Sequence, residues 1–433
     1  MAISTTIRAL SASAGLALLV GCSVGGSPVI APNPVSATQP LVLQKGTRWT
    51  TFLISPPCCH AGLTVGPDGN IWMPDGGNAL WRLTMTGKLK QFPLDPPTAG
   101  DNILAVGADN KFYFGNCATP PSIGVGERTS TKIKVTLIPV PSGDEVCDSG
   151  LALGPDGNMW FAENSHIAYI TTAGIIHEYS YPIGQNFPPG GITPGPDGNM
   201  WFTYSFGGYY VGKIVPATGA ITLYPVGCQA YGITSAADGN LWAACSFTFV
   251  RITTSGITTS FQTYGLGFSM SPFNDDVARA PNGNPWFAGS TFDGCVAAGE
   301  INTVTLRITF HKTPLICKAG ATVGLSIVTG SDGNVWMMGL NANSHFFASV
   351  YIFKRLTVTP ESLVFTAGGQ SQSLTATEIG SPTLNATSSN SAVARVSTGP
   401  AHTFIVKSVG VGTCVIIVAD SIGNSFDVEV TVQ

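Results

Sequence analysis

Short apolar runs broken by Gly, Asp and Asn recur along most of the chain, and one seven-residue string returns almost unchanged. It reads GPDGNIW at Gly66 to Trp72, and GPDGNMW at Gly154 to Trp160 and again at Gly195 to Trp201. Looser copies are AADGNLW at Ala236 to Trp242, APNGNPW at Ala280 to Trp286, GSDGNVW at Gly330 to Trp336 and GADNKFY at Gly107 to Tyr113. The marker Asp or Asn falls at positions 68, 109, 156, 197, 238, 282 and 332, at separations of 41, 47, 41, 41, 44 and 50 residues. Repeats of that length, made of short strands and tight turns, predict the four-stranded blades of a seven-bladed β-propeller.

Each unit has one grammar, clearest in the fourth: a short strand at Ile192 and Thr193, the turn Asp197-Gly198-Asn199, an aromatic strand from Met200 to Thr203, a third from Val211 to Val215, a Thr218-Gly219 turn, and a fourth from Ile221 to Tyr224. Asp-Gly and Thr-Gly supply the positive φ that two-residue hairpins demand. The Trp after each first turn is expected to pack between neighbouring blades and not to carry ligand. The repeated Asp is a turn residue, because the alternating carboxylates and closing Glu of a calcium loop are missing. The seventh unit lacks a fourth strand, and Trp49–Ile54 is an orphan outer strand ahead of the first turn; it should complete blade seven and close the ring.

From Leu356 the aromatic repeat stops and alternating strands without Trp run to the end. Ser388 to Val396, SSNSAVARV, resembles the core strand of a bacterial Ig-like domain of group 2 over about 78 residues, the size of a small β-sandwich. The fold class expected is therefore all-β: a seven-bladed β-propeller followed by a small Ig-like β-sandwich. Such modules serve as spacers or adhesion units on bacterial surfaces.

Only 10% of the 433 residues are charged and the net charge is −4, so no basic field exists to hold nucleic acid. Residues 1–21 read as a signal peptide, with Arg8 before the apolar run Ala9 to Val20. Leu19, Val20, Gly21 and Cys22 look like a bacterial lipobox, which makes Cys22 the lipidated first residue; an ordinary secretory signal ending in Gly-Cys is the alternative. Residues 22–44 have the Ser, Pro and Gly content of a tether, 45–355 form the propeller and 356–433 the Ig-like domain. Contact with the membrane is expected through the lipid alone, and Ser23 stands where an Asp would resemble an inner-membrane retention signal, which favours the outer membrane of the cell envelope.

An exported location makes disulfides the default for the remaining cysteines. Cys117, Cys147, Cys228 and Cys245 lie at strand ends away from the marker turns, and the pairings expected are Cys228 with Cys245, Cys117 with Cys147 and Cys295 with Cys317. Cys414 should be a buried free thiol. No Cys-x-x-Cys spacing marks zinc, and His60 beside Cys58 and Cys59 is the one suggestive cluster; no metal is expected.

The GPDGNxWF repeat, over about 310 residues, resembles the seven-bladed propellers of the virginiamycin B lyase, or streptogramin lyase, group and its NHL-type relatives. That resemblance implies a metal-assisted elimination in which His and Glu near the ring axis hold magnesium and move a proton. It places the His seven residues before the marker and the Glu seven after it. Before the marker stand Ala61, Asn102, Ser149, Gly190, Tyr231, Asp275 and Leu325, and after it Asp75, Asn116, Glu163, Tyr204, Cys245, Gly289 and Gly339. The base is missing, and only Glu163 and Asp75 retain a carboxylate. His166 and His177 read as ordinary surface or half-buried histidines; Asp275 with Asp276 could be a paired acid facing the channel or a loop cap.

The function expected is that of an exported, lipid-anchored envelope protein that binds a glycan, peptide or protein on the face opposite the Asp-Gly-Asn turns, through Tyr231, Tyr204, Phe206, Tyr209, Asp275, Glu163 and His60, without a cofactor. The alternative is a lyase that linearises a cyclic depsipeptide, with His60 and Glu163 as catalytic groups and magnesium as its ion. A third class is a purely structural interaction platform.

Overall fold

A computed structural model of the protein describes residues 44–45, 49–54 and 62–433, apart from the short segments 101–102, 147–149, 185–189, 206, 246, 264–267, 271–276, 292–294, 318–322, 341–345, 352–355, 379–382 and 421–424. No helix occurs among the described residues. Blade four shows the common plan, inner edge to outer: Ile192–Pro194, Met200–Ser205, Tyr209–Ile214 and Ile221–Pro225, all antiparallel.

The marker turn builds each blade from the inside. In blade four Gly195 N–H donates to the Asn199 carbonyl at 2.7 Å, Gly198 takes φ +74°, and Asp197 Oδ1 accepts the indole Nε1–H of Trp201 at 2.9 Å. The same indole-to-carboxylate bond joins Trp72 to Asp68 at 2.8 Å and Trp160 to Asp156 at 3.0 Å. Blade two lacks the turn Gly, and Asn110 adopts φ 60° in its place, a conformation that Asn tolerates better than most side chains.

With its nitrogen satisfied, the indole can be buried completely. Trp201 lies against Leu241, Ala243 and Val250 of blade five, Trp160 against Met200 and Phe202 of blade four, and Trp72 against Phe112 and Phe114 of blade two. The tryptophans are thus inter-blade core, as the sequence predicts. Each buried ring is worth at most about 4 to 6 kcal/mol of hydrophobic free energy.

That packing also explains the Gly that opens the string. A Cβ on Gly66, Gly154 or Gly195 would lie 2.2, 2.4 or 2.3 Å from Cδ1 of its own blade's tryptophan. Ala236 and Ala280 stand there in blades five and six. Trp242 Nε1 then sits 3.3 Å from both Asp238 oxygens. Trp286 instead stacks on His311 at 4.6 Å and 1°, while the Asn282 and Asn284 amides donate to Glu300 at 2.6 and 2.7 Å.

Ring closure follows the sequence expectation. Trp49–Ile54 pairs antiparallel with Phe346–Tyr351, so the first propeller strand becomes the fourth strand of blade seven. Trp336 of blade seven then packs with Ile71 and Met73 of blade one. Three departures from seven separate four-stranded blades appear: in blade seven Gln44–Lys45 adds a fifth strand, antiparallel to Trp49–Ile54. The outer strands Leu89–Asp95 and Ile133–Pro139 of blades one and two touch in parallel over two residue pairs, where Lys132 bonds to Asp95. Blade six carries an additional strand, Phe268–Met270, on Pro285–Thr291.

After the propeller come two four-stranded sheets. One orders Leu356–Thr359, Ser371–Glu378, Thr403–Ser408 and Ala394–Thr398; the other orders Ser362–Phe365, Ser425–Val432, Gly412–Asp420 and Leu384–Ser388. Both contribute to one core, in which Val358, Leu374 and Phe404 meet Phe365, Ile416 and Val430. This is a β-sandwich. Cys414 is a buried free thiol within it.

Two substitutions test the marker turn. Gly195→Ala should cost about 1 to 3 kcal/mol through overpacking, read as a lower urea midpoint. Burial alone would raise the carboxyls of Asp68 and Asp197, but the indole and Asn hydrogen bonds outweigh it and hold both below the usual 3.8. Their stabilisation is therefore full above 3.8 and lost as pH falls through the depressed values. Acid titration of the unfolding midpoint should show that loss, and Asp68→Asn should flatten it; an unchanged slope would remove these turns as its source.

Candidate functional site

Opposite the marker turns, the chain ends of the second strands and the connections into the inner strands form the other face. The residues seven places after the marker fall there, and all those described in blades one to five are core. Asp75, Asn116, Glu163, Tyr204 and Cys245 are 8, 2, 0, 2 and 3% exposed. Asp75 is a structural hub: its Oδ1 accepts from the backbone N–H of Asn78 and Ala79 at 3.0 and 2.6 Å, and its Oδ2 from Trp81 Nε1 at 3.2 Å. Asn116 caps the neighbouring connection, accepting from Ala99 N–H at 2.9 Å and donating to Ser122 at 2.8 Å.

Tyr204, expected to face a ligand, is corrected to core. Its hydroxyl donates to the Gly184 carbonyl at 2.7 Å and its ring lies 4.9 Å from Tyr181. The strand continues past the expected end to Ser205, so alternation keeps Tyr204 between blades. Cys245 forms the expected disulfide with Cys228. Cys117 is also disulfide-bonded, while its expected partner Cys147 lies outside the described residues. Cys295 and Cys317 are Cα partners across blade six.

Of the positions seven before the marker, Ala61, Asn102, Ser149 and Asp275 lie outside the described residues, and Gly190 and Tyr231 lie within them. A Cβ on Gly190 would sit 1.7 Å from Thr203 Oγ1, so no side chain fits at that place in blade four. In blade five, Tyr231 is half-buried and its carbonyl accepts from Gly191 N–H at 2.8 Å and Thr203 Oγ1 at 3.2 Å, tying the two inner strands together. Between the inner strands lies a cavity of about 340 Å³. Its walls come from six blades and include Leu151, Ile192, Ile233, Val277 and Ile327; among the described residues Arg279 is the one charged side chain of the lining, and no His, Asp or Glu contributes. His60, Phe206, Asp275 and Cys22 lie outside the described residues.

One polar cluster stands out on this face, at the end of blade three. Glu163 follows the strand Met159–Ala162, His166 opens the strand His166–Ile170, and Asp144 comes from the connection that precedes the blade. His166 Nδ1 lies 3.0 Å from Asp144 Oδ2 and 3.5 Å from Glu163 Oε2. Ser142 Oγ donates to Glu163 Oε2 at 3.1 Å, and Ser165 N–H donates to Asp144 Oδ2 at 2.8 Å. Burial, and next the repulsion of Glu178, push the Glu163 carboxyl up to about 8. His166 is half-buried, within the expectation, and it is also a member of this cluster. Sequence reasoning missed its pairing with Asp144 because 22 residues and no fixed spacing separate them; Glu163 alone carried a positional signal. His177 conforms as well, stacking on Tyr169 at 4.8 Å.

In blade four, Tyr209 is 46% exposed. It borders a hollow of about 460 Å³ with Ser205, Gly207, Gly208 and Gln229. Gly208 takes φ +158° with Tyr210 3.0 Å from its would-be Cβ, which keeps this rim free of bulk.

Residues 51–344 match the model of the virginiamycin B lyase family. Among solved structures, the chain is similar to a streptogramin B lyase at 25% identity, over 70% of this chain and 97% of that one, with a TM-score of 0.56. The virginiamycin B lyase of Staphylococcus aureus is similar at 24% identity over 70% and 99% of the two chains, TM-score 0.55. A catalytically inactive variant of the S. aureus enzyme with quinupristin is similar at 23% identity over the same shares, TM-score 0.56. No curated protein sequence matches the chain.

If the ring of positions after the marker is structural, Asp75→Ala should destabilise the blade-one end by about 1 to 3 kcal/mol, since it strands the buried N–H of Ala79 and removes the acceptor of the part-buried Asn78 N–H and Trp81 indole. The thermal midpoint of that variant, compared with wild type, reads the effect, and a change near zero would reopen a catalytic role for Asp75.

Proposed function

The chain belongs to the virginiamycin B lyase family, and on that footing we propose that it is a ligand-binding protein of the cell envelope in which the elimination chemistry of the family is replaced by recognition. The observation that carries this is the axis. Elimination needs a base within hydrogen-bond reach of the proton it removes, and an assisting ion needs converging ligands. Among the described residues the inner strands offer aliphatic side chains, threonines and Arg279 there, and Gly190 has no space for a histidine. The residues at the family positions do not fit the magnesium ion that the resemblance implies, so no step is derived through it.

Recognition is assigned to the face opposite the marker turns, with the hollow beside Tyr209 as its centre. An exposed phenol beside Gln229 and two glycines offers a flat stacking surface with amide and backbone hydrogen-bonding groups at its edge. Among the described residues its lining carries no charged side chain. That chemistry suits the ring face of a sugar or a peptide aromatic group. Lipidation at Cys22 would hold the protein at the membrane, with 22–44 as tether and the C-terminal β-sandwich as an Ig-like spacer. The disulfide between Cys228 and Cys245 supports an oxidising compartment outside the cytoplasm. The lyase alternative retains one support, the family match itself, and the first test addresses it.

The purified full chain, incubated with quinupristin and magnesium, should leave the antibiotic unchanged by mass spectrometry and chromatography. A product of the same mass with altered retention would establish ring opening and overturn the proposal. In parallel, glycan-array and peptidoglycan-fragment binding should weaken about threefold to tenfold in Tyr209→Ala, the weight of one stacked ring; binding indifferent to Tyr209 would move recognition off this hollow.

A further inference from the structure

We propose that Asp144, Glu163 and His166 form a binding site for one divalent transition-metal ion, zinc or manganese. The three ligand atoms all lie within 4.8 Å of one another. Ligands at about 2.0 to 2.2 Å from such an ion sit roughly 3 to 3.5 Å apart. The distances from His166 Nδ1 to Asp144 Oδ2, 3.0 Å, and to Glu163 Oε2, 3.5 Å, already have that span. Only the carboxylate-to-carboxylate edge has to contract.

The carboxyl of Glu163 points the same way. It is 0% exposed, and its Oε1 has no hydrogen-bond partner among the described residues. Among those residues no Lys or Arg forms an ion pair with Asp144, Glu163 or Glu178. A buried acceptor without a donor is costly, and a cation bound by this carboxylate would offset that cost. Blade six supplies the contrast. There Glu300 also faces a histidine, His311, at 3.2 Å, but its oxygens accept from Asn282 and Asn284 as well. That pair is complete without an ion; the blade-three group is not.

The ligands are also held as a metal site requires. His166 is fixed in register opposite Ser180, and its carbonyl accepts from Glu163 N–H at 2.8 Å. Ser165 donates to both oxygens of Asp144, at 2.8 and 3.3 Å, and Ser142 donates to Glu163. Such outer hydrogen bonds orient ligating carboxylates. One imidazole nitrogen with two carboxylate oxygens favours zinc or manganese over calcium or magnesium, which prefer an all-oxygen shell. Binding replaces the proton shared between His166 Nδ1 and Asp144 by the ion, and three protein ligands leave the remaining positions to water.

Neither Asp144 nor His166 occupies a position that the lyase repeat marks. Blade three carries Ser149 seven residues before its marker and Glu163 seven after. The site stands independently of the binding function proposed above.

The test is metal content and affinity of the untagged full chain. After chelation and dialysis, titration calorimetry with zinc or manganese, checked by elemental mass spectrometry, should give one ion per chain. Asp144→Asn and His166→Gln should each weaken it at least about tenfold, while His311→Gln should leave it unchanged. Near-ultraviolet circular dichroism in chelator reports folding, and Glu163→Gln, which keeps the buried shape, serves if His166→Gln unfolds. No saturable one-to-one binding in wild type, or binding that survives Asp144→Asn or Glu163→Gln, overturns the proposal.

Discussion

The hydrogen bond from a buried indole to the carboxylate of its own turn is the constraint on which the propeller depends. A tryptophan between two sheets must satisfy Nε1 without giving up burial of the ring. The marker Asp does this four residues upstream, while the same carboxylate receives the turn's Asn N–H. One side chain therefore shapes the hairpin and also licenses the inter-blade core. The Gly two residues before it is fixed by the same ring, which lies on bare backbone. Blade six shows how far the device can be altered: Asn282 replaces the acid, and Glu300, His311 and Asn284 rebuild a polar cluster beside Trp286.

Because that constraint is local in sequence, it is legible there. The marker spacing, the inter-blade place of the tryptophans and the return of Trp49–Ile54 to the last blade all follow from turn chemistry and strand counting. The opposite face is different. Its groups come from connections of unequal length, so Asp144 and His166 meet through the closing of blade three and not through any period. Tyr204 was misplaced for a related reason: strand alternation sets its direction, but only the true strand end, at Ser205, decides whether a neighbour covers it. The edge contact between the outer strands of blades one and two depends on their shared length, which the repeat does not encode.

Family membership and the recognition role proposed above coexist without conflict. Four of the positions that bear the acid in the family pattern take part here in backbone capping, a disulfide and inter-blade aromatic contacts. The turns and indoles on one side of each blade recur around the ring. The other side is free to diverge, and it holds both the hollow at Tyr209 and the carboxylate cluster of blade three.

Closure by the N-terminal strand bears on the order in which the molecule can be completed. Trp49 pairs with Tyr351, 302 positions later, so the sheet that holds both ends cannot form until nearly the whole ring has been made. Loop entropy grows only slowly with such a span, which keeps the cost of waiting modest. An open array of repeats can lose its last unit while the rest persists. Here the first and last segments lie side by side in one sheet, leaving no terminal repeat from which unravelling could begin.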